Sequence, residues 1–501
     1  MRYVIALDQG TTSSRTIIFD AYGRAVATAS RPLTQYYPKP GWVEHDPEEI
    51  LKTQIDSLRE AYQKSGIQAS DIVGIGITNQ RETAILWEKE SGKPVHNAIV
   101  WQCRRTADYC TQLKEEGVED YIRRKTGLLI DAYFSGTKYK WLLDNLPGTY
   151  AAAERGQLLC GTVDSYLIWS LTGGKAHVSD YSNLSRTMLF DIDKLTYDRD
   201  ILSLLNLPEA MLPTPVPSSA PFGVVAKGIP GIEDLAGIPI CGSAGDQAAA
   251  LFGQCCFEAG QIKNTYGTGC FTLMNLGSDS IRSSHGLVTS VAWSLGGKTT
   301  YALEGSVFNA GSSIQWLRDE LGLIATAQEC DVLAASVPDN GGVYMVSAFT
   351  GLGAPHWDMY ARGMLIGLTR GSTKAHIARA TLEGIAFQVN DLVETMRADS
   401  GRPITSLRVD GGASASDILM QLQANISGLT VDRPIQRETT AMGAAFFAGL
   451  HSGLWTLEDL EKMRVRDRLF EGEETARYKG YVARWREAVS RSTHWADDSN
   501  N

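Results

Sequence analysis

The sequence predicts an α/β protein of more than one domain, with mixed sheets, helical crossovers and a repeated strand–turn–strand opening. Three observations predict it. Residues 4–7, 15–19 and 24–30 are short apolar runs separated by tight polar turns, which is how an antiparallel sheet begins. A helical pattern and then another apolar run, 72–77, follow, so a crossover joins the next strand to that sheet. After the midpoint the same grammar restarts: residues 261–265, the turn Tyr266-Gly267-Thr268-Gly269 and residues 270–275 echo the opening, although the letters differ.

Each element has its own local reason. The first turn, Asp8-Gln9-Gly10-Thr11-Thr12-Ser13-Ser14, is small and polar directly after a buried strand. Asp46-Pro47-Glu48-Glu49 reads as a helix start, with Asp46 as cap, Pro47 at the first helical position and Glu49 at capping-box spacing. Ile50, Leu51, Ile55, Leu58 and Tyr62 then form its apolar stripe. Seven of the 17 prolines lie between Pro208 and Pro239, which predicts irregular surface chain shortly before a domain junction. Residues 238–246 read as a strand entering a small-residue turn. Residues 407–410, the turn Gly411-Gly412-Ala413-Ser414 and a helix over 416–426 complete the second half.

Bulk composition narrows the function classes. A chain of 501 residues exceeds one core, and about 100–200 residues per domain predicts two or three. The formal net charge of -10 repels a polyanion, so nucleic acid is a poor partner. No run has the length and apolarity of a membrane span or the pattern of a signal peptide. The eight cysteines include no CxxC pair, and the eight histidines no HExxH, so a reduced cytoplasmic protein without a zinc site is expected.

The chemistry-bearing segments sit at strand ends. A Gly/Thr/Ser turn presents N–H groups and hydroxyls suited to phosphate oxygens, and Asp8 beside it supplies a hard oxygen for Mg²⁺. Arg15 lies close enough in sequence to reach a phosphate. The 266–269 turn is a second such loop, and Gly411-Gly412 would let a flat nucleoside approach the backbone. A Walker A loop is excluded: Gly297-Lys298-Thr299 supplies the ending, but Ala292 stands where the opening glycine belongs. Asn79-Gln80-Arg81-Glu82-Thr83 offers donors and acceptors for hydroxyls, or else a solvated salt-bridging turn. Trp101 and Tyr133 offer aromatic faces for the C–H side of a small polyol, or ordinary core packing. Asp246 stands at another strand end, placed to accept a proton from an alcohol or to cap the helix after it.

Asp8-Gln9-Gly10-Thr11-Thr12-Ser13-Ser14-Arg15 resembles the first phosphate loop of the FGGY carbohydrate kinases. Segments 76–83, 99–105, 133–138, 245–247, 264–271 and 350–355 resemble the branch of that family acting on glycerol. The resemblance implies two ribonuclease-H-like domains, of the kind shared with actin, Hsp70 and hexokinase, at 1–253 and 254–501. It implies ATP and Mg²⁺ as cofactors, glycerol as substrate and a homodimer or homotetramer. Carried over, Arg81, Glu82, Tyr133, Asp246 and Gln247 bind the polyol, with Trp101 and Phe271 as apolar walls. Asp246 is the general base, and Asp8 with Asp246 holds the metal, directly or through water. Thr11, Thr12, Ser13 and Arg15 contact phosphates from one side; Thr268, Gly311, Gln315, Gly412 and Ser416 contact the nucleotide from the other.

Three departures concern adenine binding and regulation. Ser416 stands where the family often has Asn, and the stretch Lys227-Gly228-Ile229-Pro230-Gly231-Ile232 holds no His, whereas some bacterial relatives carry a phosphorylatable His near position 230. The Gly-Gly-Thr-Arg pattern of an inhibitor loop is absent. Another polyol or sugar kinase of the family, or an actin/Hsp70-like ATPase, is the alternative reading.

Overall fold

The computed structural model describes residues 1–496. The first half opens with strands Tyr3–Gln9 (β1), Ser13–Asp20 (β2) and Ala25–Pro32 (β3), then helix Pro47–Ser65 (α1) and strand Ile72–Asn79 (β4). Strands Gly223–Val224 (β5) and Pro239–Gly245 (β6) follow, and helix Asp246–Gly253 (α2) closes this half. Among the described residues they form a six-stranded sheet in the order β5-β6-β4-β1-β2-β3. β1 pairs antiparallel with β2 and parallel with β4, and β6 pairs parallel with β4.

The second half repeats this plan. Strands Ile262–Tyr266 (β7), Cys270–Gly277 (β8), Val288–Leu295 (β9) and Lys298–Val307 (β10) precede helices Gly311–Asp319 (α3) and Lys374–Ser400 (α4). Strands Ser406–Asp410 (β11) and Thr430–Pro434 (β12), helix Thr439–His451 (α5) and strand Arg466–Phe470 (β13) follow. Their sheet runs β9-β10-β8-β7-β11-β12-β13. β7 is antiparallel to β8 and parallel to β11, and β11 is parallel to β12. The antiparallel meander joined to parallel crossovers is thus present twice, with β9 added outside β10. The expected duplication holds at the level of topology, where the letters show little of it.

Period-two alternation places the cores. Ile5, Leu7 and Ile18 face α1 with Ile50, Leu58 and Ala61, while Val4, Ala6, Ile17 and Phe19 face the opposite way. That second face is covered by Ala441, Ala444, Ala445 and Ala448 of α5, a helix from the other half. Contact is intimate: a Cβ at Gly76 would lie 2.0 Å from the Ala444 carbonyl oxygen, and one at Gly443 would lie 1.9 Å from that of Ala249. Small residues let the backbones meet here.

Three local expectations change. Asp46 caps α1, accepting from the Glu48 N–H at 2.9 Å, but Glu49 completes no capping box. Its carboxylate accepts instead from the Thr34 N–H and hydroxyl, because an extended segment lies within reach. Residues 239–245 run straight into a helix without a turn, and Asp246 is that helix's first residue, with Gly245 at the cap. The proline-rich stretch is largely irregular, yet Gly223–Val224 returns to the first sheet as an edge strand. Of the Gly297-Lys298-Thr299 segment, only Gly297 lies in the hairpin turn, with Gly296, while Lys298 and Thr299 open β10 and pair with Leu295 and Ser294 of β9.

Candidate active site

The first turn closes with the Gly10 N–H donating to the Ser13 carbonyl at 2.9 Å. Thr12 projects to solvent at its tip, while Thr11 and Ser13 are half-buried. Gln80 supports the turn from β4's end: its side chain donates to Gln9 Oε1 at 3.0 Å and to the Gly10 carbonyl at 3.1 Å. Asp8 sits at the end of β1. Burial raises its carboxyl to about 7; Arg15 opposes that, and Glu438 and Asp246 reinforce it. Arg15 itself forms an ion pair with Glu438 of the second half.

Residues 79–83 are all buried, so the solvated-turn reading fails. The Thr83 N–H donates to the Arg81 carbonyl at 2.7 Å across Glu82, whose φ is 59°. This is a γ-turn of the rare positive-φ hand, which costs of order 1–3 kcal/mol for a non-glycine residue. Its carbonyl is held by Lys138 Nζ at 3.0 Å and Ser135 Oγ at 3.1 Å, both from helix Ser135–Asn145. Burial of Lys138 drops its pKa to about 7. The strained turn aims two adjacent side chains, Arg81 and Glu82, into one place.

There they meet ions that sequence reasoning missed. Arg81 donates through Nη1 and Nη2 to Glu304 at 2.6 and 2.8 Å, and its Nε lies 3.0 Å from Asp246 Oδ1. Arg186 donates to Glu82 at 2.5 Å, and its Nη2 lies 3.3 Å from Glu304. Burial alone would raise the Glu304 carboxyl, but Arg186 and Arg81 outweigh it and hold it at about 2. The one available signal was an acid directly after the apolar run Tyr301-Ala302-Leu303 of a strand, since a buried carboxylate requires partners.

Around this frame the expected residues converge. Trp101 meets Tyr133 edge-on, with ring centroids 5.7 Å apart, and Phe271 at 6.5 Å. Trp101 Nε1 also donates to Thr11 Oγ1 at 2.9 Å, joining the aromatic wall to the first turn. The Gln247 N–H donates to Asp246 Oδ1 at 2.7 Å, and the buried Lys263 donates to Gln247 Oε1. The Gln247 amide NH₂ therefore faces Asp246.

The remaining expected residues lie on the second half. The Thr268 carbonyl accepts from Ala310 N–H at 2.8 Å and Ser312 N–H at 3.1 Å, which seats this loop on the start of α3. Gly311 is required by that contact: its Cβ would lie 2.5 Å from the Gly267 oxygen. Gln315 is exposed one turn along α3. Gly411, at φ 84°, packs on the Tyr266 backbone, while Gly412 faces open space. Ser416 caps helix Asp417–Ser427, accepting from the Leu419 N–H at 3.1 Å and donating to Asp331 at 2.8 Å, so its hydroxyl keeps one acceptor position free.

Among the described residues, no group of three or more His, Cys, Asp or Glu gathers as a metal cage. No helix among them is long and apolar enough to cross a membrane. All eight cysteines are free and buried.

Duplicated sheets with small-residue loops and paired acids at their strand ends define a two-domain kinase of the α/β class. The chain belongs to the FGGY family of carbohydrate kinases: residues 3–253 match the family's N-terminal domain and residues 262–452 its C-terminal domain. It is 56% identical over 497 residues to glycerol kinase 2 of Thermotoga maritima, covering 99% of each chain. It is 56% identical over 500 residues to a glycerol kinase of Caldanaerobacter subterraneus, covering 99% of this chain and 100% of the relative. The crystal structure of Plasmodium falciparum glycerol kinase with ADP superimposes with a TM-score of 0.92 at 34% identity, covering 98% of both chains.

Proposed function

We propose that the protein transfers the γ-phosphate of ATP to a terminal hydroxyl of glycerol, giving glycerol 3-phosphate and ADP. The observation that carries this reading is the convergence of Arg81, Glu82 and Asp246 beside the Trp101–Tyr133–Phe271 wall, with Trp101 bonded to the phosphate-type turn at Thr11. Three aromatic rings leave little room for a pentose but suit the C–H face of a three-carbon polyol. Full-length relatives named as glycerol kinases support the same choice.

In this reading Arg81, Glu82, Tyr133 and Gln247 hold the hydroxyls and fix one terminal oxygen toward Asp246. That carboxylate takes the hydroxyl proton as the oxygen bonds to the γ-phosphorus and the bond to the β-phosphate oxygen breaks. Thr11, Thr12, Ser13 and Arg15 receive the phosphates from one side. Thr268, Gly311, Gln315, Gly412 and Ser416 border the nucleotide from the other. Residues 1–253 thus carry the first phosphate loop and most of the polyol site, and residues 254–501 carry the nucleotide site and add Phe271 to the polyol wall.

Asp8 and Asp246 fit Mg²⁺, which is commonly held by one or two carboxylates together with substrate phosphates. Burial, with smaller contributions from Glu438 and Asp246, raises the Asp8 carboxyl, and a bound cation would favour its charged form. Bound Mg²⁺ neutralises charge on the phosphate oxygens. A cytoplasmic homodimer or homotetramer belongs to the same reading, and size-exclusion chromatography with light scattering checks the assembly. The decisive test is ATP turnover with glycerol, dihydroxyacetone, xylulose and gluconate. Glycerol is expected to be the fastest; faster turnover of either sugar substrate would replace the assignment.

A further inference from the structure

We propose that Glu304, a residue of the second half, positions Arg81 for the polyol, so that the substrate pocket of the first half is complete only when the second half is docked on it. The inference rests on the reading that Arg81 and Glu82 bind the polyol.

The geometry separates Glu304 from an ordinary structural ion pair. Arg81 and Arg186 both come from the first half, and both reach the same carboxylate on β10. Arg186 also extends Nη1 to Ser290 Oγ on β9 at 3.2 Å, so two arginines cross to two neighbouring strands. All four charged residues of the frame are buried: Arg81, Glu82, Arg186 and Glu304 are each at most 5% exposed. A fork-to-carboxylate pair fixes the plane of the guanidinium as well as its position. With Nη1 and Nη2 each giving one N–H to Glu304, a second N–H on each nitrogen stays available, in an orientation that Glu304 sets. Arg186 does the same for Glu82 through a single bond. The polar half of the pocket is thus oriented from the far side of the cleft. A polyol that bonds to Arg81 strengthens the arrangement in which the halves touch, and closure and substrate binding are linked by that one carboxylate.

Glu304→Gln tests this, because it keeps size and one acceptor while removing the charge and the second acceptor. The KM for glycerol is expected to rise about tenfold or more, with the KM for ATP within about twofold of the parent. Equal rises in both constants would mean a merely structural role, and an unchanged glycerol KM would mean none; either overturns the proposal. Should Glu304→Gln fail to fold, Glu304→Asp, which keeps the charge but shortens the reach, is judged by the same split. Hydrogen exchange on the unaltered protein gives an independent reading: glycerol alone is expected to protect peptides covering 79–83 and 298–307 together. Protection of the first without the second overturns the linkage. Arg81→Lys separates the two levels of the argument. If it leaves the glycerol KM unchanged, the polyol site itself is misassigned; if it raises that KM while Glu304→Gln does not, only the role of Glu304 fails.

Discussion

Trp101 and Thr11 are joined by a hydrogen bond from the indole N–H to the threonine hydroxyl, 2.9 Å long, between the aromatic wall and the first small-residue turn. In the proposed reading, the bond fixes the distance between the place for an alcohol and the place for a phosphate. Trp101→Phe keeps an aromatic face and removes the donor. A lost bond of about 0.5–1.5 kcal/mol corresponds to a fall in kcat of roughly 2–13-fold, with a smaller change in the KM for glycerol. Steady-state kinetics in both substrates measure the split.

Asp246 meets Arg81 Nε at 3.0 Å yet keeps about a third of its side chain exposed, so the carboxylate remains reachable. Asp246→Asn is expected to retain nucleotide binding, seen by calorimetric titration with ADP. Its kcat is expected to fall by about 10²–10⁴, the range a positioned general base contributes. Near-parental turnover would place the base elsewhere.

Glycine in a helix usually costs about 1 kcal/mol against alanine. Gly443 in α5 reverses that rule, since its Cβ would lie 1.9 Å from the Ala249 carbonyl oxygen. Gly443→Ala is expected to destabilise the protein by several kcal/mol, of the order of or beyond the 1–3 kcal/mol typical of overpacking. Thermal denaturation should show it as a clear drop in Tm, and an unchanged Tm would mean that α2 and α5 can separate freely.

Buried Asp164 accepts from Ser179 Oγ at 2.6 Å, and burial, reinforced by Asp180, raises its carboxyl to about 7. The folded state therefore holds this proton more tightly than the unfolded chain. The stability it contributes is fully present below about pH 4 and is lost as pH rises through about 7. A shift of that size is worth up to about 4 kcal/mol across the window. Asp164→Asn should flatten this part of the stability profile, as followed by urea unfolding at pH 5, 6, 7 and 8.

Several features were legible because their cause is local. Residues 4–7 read as a strand because a short apolar run ends in a polar turn, and Asp46 caps a helix through its own backbone neighbours. Arg81, Trp101 and Asp246, proposed for the polyol site, stand out through family resemblance, while bare chemistry leaves each open to a bland reading. Glu49 was misread because a competing partner, Thr34, is brought up by the sheet and not by the helix. Glu304 and Arg186 escaped notice because each looks like a lone charge in its own segment. Only the fold brings residues 118 positions apart in the chain to a separation of 3.3 Å. Lys263, fixing the Gln247 amide from β7, was hidden for the same reason.

The covering of the first sheet by α5, a helix of the second half, has a consequence for synthesis on the ribosome. β1, β2, β4 and β6 are all translated by residue 245, but α5, which covers one of their faces, ends at His451. At about 5–20 residues per second, roughly 10–40 s pass with Val4, Ala6, Ile17 and Phe19 lacking their final cover. During that interval the nascent first half is an open sandwich that a chaperone can bind or a neighbouring chain can capture. Yield of active enzyme should therefore depend on how quickly the ribosome traverses the second half of the message.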